Sequence, residues 1–322
     1  MHTLLLVFSL RFGMADFAER MRHLCRVLER GLPSAPGITV SMVYHKPKKS
    51  IFFQGADIRV FVDCLNHLNK TNMAPSDIPI IRAAILDVIA PLGISMEELA
   101  LERIDYCQNV VVMDPKERRL AMRLWHKTSR HFLKAERMDP KHSENENRLY
   151  YKCRDDFYRV QLYNKQTERE DKGLETASYE LGVLRLEYQL RRDHLLYHWQ
   201  RYGTPCSFDA WADWGLRAYY MQQTERLFFR GDFYTLRRAE TLLRKAGLPS
   251  KVFQGIRQFM TNISKSGMDC AVRQAGSRYL ANKYTNTLTD LGICPIPIPQ
   301  NARTPFLENP FREFYKGGAS DG

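Results

Sequence analysis

The sequence lacks a long hydrophobic run. None of its segments approaches the roughly 18–20 consecutive apolar residues that a membrane-spanning helix requires. The short apolar segment 4–8 has neither the basic residues nor the small-residue cleavage site of a signal peptide, so we interpret it as a first β-strand. The sequence therefore predicts a protein without a membrane partner.

Cysteine is sparse and forms no pattern. The seven cysteines are scattered along the chain, are odd in number and include no Cys-x-x-Cys pair. This distribution argues against a disulfide-stapled fold and against a thiolate zinc site. We expect free thiols and a reducing, cytoplasmic environment.

Acidic residues are few relative to basic ones. The 322 residues include 48 Lys and Arg but only 36 Asp and Glu, so the formal net charge is +12. Hydrophobic residues make up 44% and charged residues 26%, which is the composition of a folded chain and not of a disordered one. A balance this basic favours a polyanionic partner, nucleic acid before membrane.

The order of secondary-structure signals predicts an α+β fold. Strand and helix patterns alternate up to about residue 202, and only helical patterns follow. We predict an α+β domain at 1–202, with an antiparallel sheet and flanking helices, and a smaller all-helical domain at 203–295. The segment 296–322 is predicted to be a flexible tail. Within the first domain, 57–69 has the apolar spacing of a helix and 101–113 that of a strand.

The positive charge is concentrated in the helical part. Residues 214–286 carry 13 Lys and Arg against 4 Asp and Glu, a net charge of +9. A solvated helix face explains such a cluster as well as a DNA-binding surface does. The residues that we predict to contact phosphates there are Arg237, Arg238, Arg244, Lys245 and Lys251.

Three predicted strands carry polar residues on one face, because side chains two positions apart point to the same side of a strand. The strands are 103–109, 157–165 and 183–191, and their other faces are apolar. The polar positions are Arg103, Asp105, Cys107 and Asn109, then Arg159, Gln161, Tyr163 and Lys165, then Arg185, Glu187 and Gln189.

Two interpretations of these polar faces stay open. An antiparallel sheet with one solvent-facing side explains the alternation by itself. Alternatively, Asp105 and Glu187 are oxygen ligands for a hard cation such as Mg²⁺ or Mn²⁺. A metal of that kind polarises a phosphate oxygen, and a neighbouring tyrosine, Tyr163, would be the nucleophile.

Three short segments resemble a known family. Arg103-Ile-Asp105, Tyr163-Asn-Lys165-Gln-Thr-Glu168 and Leu184-Arg185-Leu-Glu187 follow one another in the order and spacing of rolling-circle replication initiators. The chain resembles the gene II/X family of filamentous phages and related plasmids, and its core is similar to that of the replication-trans plasmid initiators. The resemblance covers about residues 100–295.

The resemblance implies a role for each matching residue. Tyr163 would attack a DNA phosphate, and Asp105 and Glu187 would hold the metal. Many plasmid members have a second acid four residues after the first, and here Asn109 takes that place as an amide ligand. Many rolling-circle nickases also hold their metal with a His-hydrophobic-His pair, which this sequence lacks.

The basic residues near Tyr163 have predicted roles as well. Lys165 and Arg159 are expected to lower the tyrosine pKa or to hold flanking phosphates. Arg185 is predicted to contact DNA, and Glu168 either orients Lys165 or forms an ordinary surface salt bridge.

The predicted function is therefore the start of phage or plasmid DNA replication. The chain would nick one strand of a supercoiled or single-stranded origin, form a 5′-phosphotyrosyl adduct and later rejoin the strand. A host polymerase and a host helicase are candidate partners. A relaxase that mobilises an element would use the same residues, and a non-catalytic DNA-binding regulator is an alternative from another class.

Overall fold

The computed structural model describes residues 1–46, 54–128, 135–137, 146–153 and 157–317. It has a mixed α+β fold, with an antiparallel sheet in the N-terminal part and a helical C-terminal region, which confirms the predicted fold class. The chain divides into two compact units. The first unit contains Met1–Cys107 and Gln189–Arg217, and the second contains Gln108–Tyr188 and Ala218–Gly322.

The elements are numbered along the chain. The strands are β1 (Thr3–Arg11), β2 (Ile38–His45), β3 (Gly55–Asp63), β4 (Ala100–Val111), β5 (Ala135–Arg137), β6 (Arg148–Cys153), β7 (Tyr158–Asn164), β8 (Val183–Arg191), β9 (Phe233–Tyr234) and β10 (Phe306–Leu307). The helices are α1 (Phe17–Arg30), α2 (Cys64–Leu68), α3 (Ile78–Ile89), α4 (Pro115–Trp125), α5 (Lys165–Asp171), α6 (Arg192–Tyr202), α7 (Phe208–Trp211), α8 (Trp214–Gln223), α9 (Glu225–Phe228), α10 (Leu236–Lys245), α11 (Ser250–Ser266), α12 (Met268–Gln274), α13 (Arg278–Asp290) and α14 (Arg312–Gly317).

Strand pairing defines the sheet of the first unit, in the order β2-β3-β1-β4. β1 pairs antiparallel with β3 and with β4, and the β4 register places Thr3 opposite Asp105. The predicted strand 101–113 is confirmed as β4. The predicted helix over 57–69 is wrong, because residues up to Asp63 form β3 and only α2 follows. Ile58, Val60 and Val62 alternate into the core, as one face of a paired strand does.

The strands of the second unit follow the order β4-β8-β7-β6-β5. β4 and β8 each have residues in both units. β6 pairs antiparallel with β7 and with β5. The helices after Ala218 belong to this same unit. The predicted boundaries at 202 and 295 stay predictions.

An aromatic core lies within the second unit. The ring of Trp125, on α4, lies 5.7 Å from the ring of Phe233 and 5.6 Å from that of Phe311, measured between centroids. The indole N–H of Trp125 donates to the carbonyl of Phe228 at 3.2 Å. Residues from the middle and from the end of the chain therefore share one core.

The segment that was predicted to be a flexible tail takes part in this packing. Ile296, Ile298, Phe311 and Tyr315 are all buried. The proline pattern identified an irregular segment, but it gave no information about the apolar residues between and after the prolines. The predicted positions 318–322 lie outside the described residues.

None of the helices in the described ranges combines the length and the apolar character needed to cross a membrane.

Candidate active site: a buried tyrosine–carboxylate pair

Tyr163 and Glu187 form the centre of the candidate site in the second unit. Tyr163 lies near the end of β7 and Glu187 in the middle of β8, and their side chains point to the same side of the sheet. The phenol Oη of Tyr163 donates a hydrogen bond to Oε2 of Glu187 at 3.0 Å. The structure thus brings the predicted nucleophile together with one of the predicted acids.

The pKa of Tyr163 is raised well above its ordinary value. Burial of the phenol is the largest cause, and the negative charge of Glu187 adds to it, whereas Arg185 acts in the opposite direction. Neighbouring cations were predicted to lower this pKa, and the structure gives the opposite direction. A neutral phenol held against a carboxylate needs that carboxylate, or another base, to accept its proton before it can attack.

Buried polar side chains surround the pair. Gln161 lies two residues before Tyr163 on β7, and its Nε2 is 3.5 Å from Oε1 of Glu187. Arg148 donates to the Oε1 of Gln161, and its guanidinium lies 6.0 Å from the ring centre of Tyr163. Because Gln161 and Tyr163 are both buried, the polar face of β7 is not the solvent-facing side that the alternation allowed.

Asn109 and Arg185 contact each other next to this pair. Nε of Arg185 donates to Oδ1 of Asn109 at 2.9 Å, and only 1% of the Arg185 surface is exposed. The Asn109 oxygen that was predicted to bind a metal therefore accepts from a guanidinium in this structure, and Arg185 is buried. The metal role of Asn109 and the DNA contact of Arg185 stay predictions.

Lys165 does not share the strand face of Tyr163, because β7 ends at Asn164 and Lys165 begins α5. Asn164 caps that helix by accepting the Thr167 N–H. Nζ of Lys165 lies 2.8 Å from Glu168 Oε2 and 3.5 Å from Glu180 Oε1. Lys165 therefore compensates two acids, and the contact with Glu168 that the sequence suggested is present.

Arg159 is half-buried on β7, and its guanidinium lies 5.9 Å from the ring centre of Tyr150. This contact is a cation–π geometry. The predicted phosphate contact of Arg159 stays a prediction.

Asp105 lies in the first unit and is completely buried. Arg103 binds its carboxylate with two N–H groups, one of them at 2.9 Å from Oδ1. The backbone N–H of His2 donates to the Asp105 carbonyl at 2.7 Å. A ring nitrogen of His2 and a carboxylate oxygen of Asp105 also lie within 4.8 Å of each other.

His2 is a candidate ligand that the sequence pattern did not reveal. It belongs to no histidine pair and stands next to Thr3, which lies opposite Asp105 in the sheet register. An imidazole and a carboxylate fit a divalent transition metal such as Mn²⁺ better than they fit Mg²⁺. In the first unit His2 and Asp105 can each offer one ligand atom, and Asp105 would have to exchange Arg103 for the metal. Glu187 offers a carboxylate in the second unit.

The predicted DNA-binding residues of the helical region are exposed. Arg237, Arg238, Arg244 and Lys245 lie on α10, and Lys251 lies at the start of α11. The opposite face of α10 is buried in the core through Ala239 and Leu243. The arrangement agrees with a basic outer surface, and both a solvated face and a phosphate-binding face have this geometry.

No protein-family model matches this chain, and no curated protein matches it at a significant level. The interpretation of the site therefore depends on its own geometry and on the three sequence segments.

Proposed function

We propose that this chain nicks and rejoins one strand of DNA through Tyr163, and that this reaction starts rolling-circle replication. The observation that carries the proposal is the 3.0 Å hydrogen bond from the Tyr163 phenol to Glu187. This distance is within the reach of a general base and its substrate proton. The three segments that resemble the replication initiators support the same residues.

In the proposed reaction the Tyr163 oxygen attacks a DNA phosphorus atom while Glu187 takes the phenol proton. The new O–P bond replaces the bond from phosphorus to the 3′-oxygen, which leaves and is protonated to a free hydroxyl. The strand then carries a 5′-phosphotyrosyl link, and the reverse attack by a 3′-hydroxyl rejoins it. A divalent cation such as Mg²⁺ or Mn²⁺ would stabilise the charge that develops on the phosphate.

The burial of Tyr163 is the observation that favours a second candidate function. Only 7% of its surface is exposed, so DNA reaches the phenol only if the tyrosine or its surroundings move. A non-catalytic DNA-binding regulator would use the buried network as scaffold and the basic helices as its DNA-binding surface.

A nicking assay separates the two functions. The substrate is the supercoiled element that encodes this chain, incubated with Mg²⁺ or Mn²⁺. We expect the wild-type protein to produce an open-circular product and a covalent adduct, and Tyr163→Phe to produce neither while it still binds DNA. Excess EDTA should abolish cleavage.

Tyr158→Phe is the matched control, because Tyr158 lies on the same strand and stacks on Tyr188 at 5.2 Å. It should leave cleavage intact. A wild-type protein that binds the DNA but cleaves it with neither metal would support the regulator. An adduct that still forms in Tyr163→Phe would refute the assignment of the nucleophile.

A further inference from the structure

A polar cavity of about 690 Å³ lies among the C-terminal helices of the second unit. One wall consists of the end of α8 together with α9, and the other wall is α13. Its volume is within the range of about 300–1,000 Å³ that is typical of small-molecule sites. The cavity is separate from the Tyr163 network, and no step of the proposed reaction uses it.

The α13 wall is a continuous polar stripe. The residues that face the cavity recur at the spacing of one helix face, which a core-facing helix would fill with apolar side chains. They are Arg278, Asn282, Thr285, Asn286 and Thr289. Arg278, Asn282 and Asn286 are exposed, so their polar groups are accessible to a ligand in the cavity.

The opposite wall has matching chemistry. Gln222, Gln223, Glu225 and Arg226 line it together with the largely buried Phe229, which supplies an apolar surface, and the Glu225 carboxylate lies 3.6 Å from Nε of Arg230. Within the described residues, the four amide side chains and the two guanidinium groups of the cavity form no side-chain hydrogen bond or ion pair. Each amide can donate and accept at once, so the cavity offers several free donor–acceptor pairs beside two positive charges.

The apolar surface is held in an unusual backbone conformation. Phe229 has φ 54° and ψ 158°, a region that non-glycine residues rarely adopt. The buried amide of Asn309 stabilises this turn, because its Nδ2 donates to the carbonyls of Phe229 at 2.7 Å and Gly231 at 3.1 Å. The turn fixes one side of the cavity.

We infer that this cavity binds a nucleotide of single-stranded DNA, with the amides contacting the base and Arg226 and Arg278 contacting the flanking phosphates. Amide side chains form paired hydrogen bonds with base edges. The inference rests on the proposed function in that DNA is the substrate, and it adds a subsite that binds an unpaired strand.

The test measures the affinity of the full-length protein for fluorescent oligonucleotides of deoxyadenylate, deoxycytidylate and thymidylate by anisotropy. The double variant Asn282→Ala/Asn286→Ala should lose about tenfold in affinity for at least one of the three oligonucleotides. It should keep the wild-type salt dependence, because no charge is removed.

The double variant Arg226→Ala/Arg278→Ala should reduce the slope of log affinity against log salt by about 1.4, since each phosphate contact on a single strand contributes about 0.7. Gln254→Ala/Gln274→Ala is the control, because both glutamines are exposed on neighbouring helices and neither lines the cavity. Melting curves confirm that all variants fold.

Wild-type affinity of the asparagine variant for all three oligonucleotides would overturn the inference. The result is independent of Tyr163 chemistry, because binding is measured without cleavage. If Tyr163→Phe still forms the adduct, the proposed nucleophile is wrong whatever the cavity binds. If the asparagine variant binds normally and Tyr163→Phe is inactive, only the subsite is wrong.

Discussion

At the scale of single residues, the Tyr163–Glu187 pair combines two opposing effects. Burial and the neighbouring carboxylate both raise the tyrosine pKa, so the resting phenol stays protonated at neutral pH. The same carboxylate accepts the hydrogen bond of the phenol, which is the position of the proton acceptor in the proposed reaction. Whether Glu187 suppresses or promotes the reaction is therefore a question that one substitution can answer.

Glu187→Gln removes the negative charge and the base together. Without the charge the Tyr163 pKa should fall, although burial keeps it above the ordinary value. If Glu187 is the base, adduct formation should nevertheless slow by about 10²-fold or more. The measurement is the initial rate of adduct formation from about pH 6 to about pH 9, with a spectroscopic titration of the tyrosines. A variant as fast as the wild type would show that Glu187 only suppresses ionisation.

Glu168 gives a second residue-scale prediction. Burial alone would raise its pKa, but hydrogen bonds from Lys165 and Lys172 outweigh burial and lower it from 4.5 to about 2. A lowered pKa in the folded state stabilises the protein above pH 4.5, and this contribution is lost as the pH falls from 4.5 through about 2.

Glu168→Gln should therefore destabilise the protein by about 1–3 kcal/mol at neutral pH, and the difference from the wild type should shrink as the pH falls toward 2. Urea unfolding at several pH values measures this. Glu170→Gln is the control, because Glu170 is an exposed residue of the same helix. A constant difference at all pH values would mean that the charge of Glu168 is not what stabilises the fold.

At the scale of elements, alternation of side chains predicted β4, β7 and β8 correctly, because apolar residues recur at every second position of each strand. The same rule did not reveal what covers the polar face. Gln161, Glu187 and Arg185 are buried, and only the tertiary structure determines that. His2 was missed for a related reason, since its position opposite β4 depends on strand pairing and not on local spacing.

The mistaken helix at 57–69 has a specific cause. Apolar residues at 58, 60 and 62 alternate, whereas Leu65 and Leu68 continue the pattern at helical spacing. The segment joins a strand to a short helix at Asp63, whose side chain accepts the N–H of Asn66 at 3.1 Å. Asp63 is a helix-capping residue in the middle of the apolar pattern, and it marks where β3 ends and α2 begins.

The exposed face of α10 allows a test of the basic surface. Replacing Arg237, Arg238 and Arg244 together by alanine should reduce the salt slope for duplex DNA by about two to three, since each phosphate contact contributes about 0.9. The matched control replaces Arg22, Arg26 and Arg30, which are exposed on α1 and have the same total charge. Equal effects of the two triple variants would indicate a general charge effect and no specific surface.

At the scale of the whole molecule, the order of the chain is a poor guide to its compact units. Strands from the middle of the sequence and helices from its end belong to one unit. Trp125 on α4 contacts the ring of Phe311, which lies within the segment that the sequence predicted to be a flexible tail. The C-terminal segment should consequently be required for folding.

Phe311→Ala tests this requirement with a single substitution. Phe311 is fully buried against Trp125, so its truncation should destabilise the second unit by about 3–5 kcal/mol. Phe306 belongs to the same segment but is 43% exposed, and Phe306→Ala should cost less than about 1.5 kcal/mol. A chain that ends at residue 295 loses Phe311 and also Asn309, which holds the turn at Phe229, so we expect it not to fold. Urea unfolding followed by tryptophan fluorescence measures the stability of the two variants and of the shortened chain. A shortened chain as stable as the wild type would support the flexible tail that the sequence predicted at 296–322.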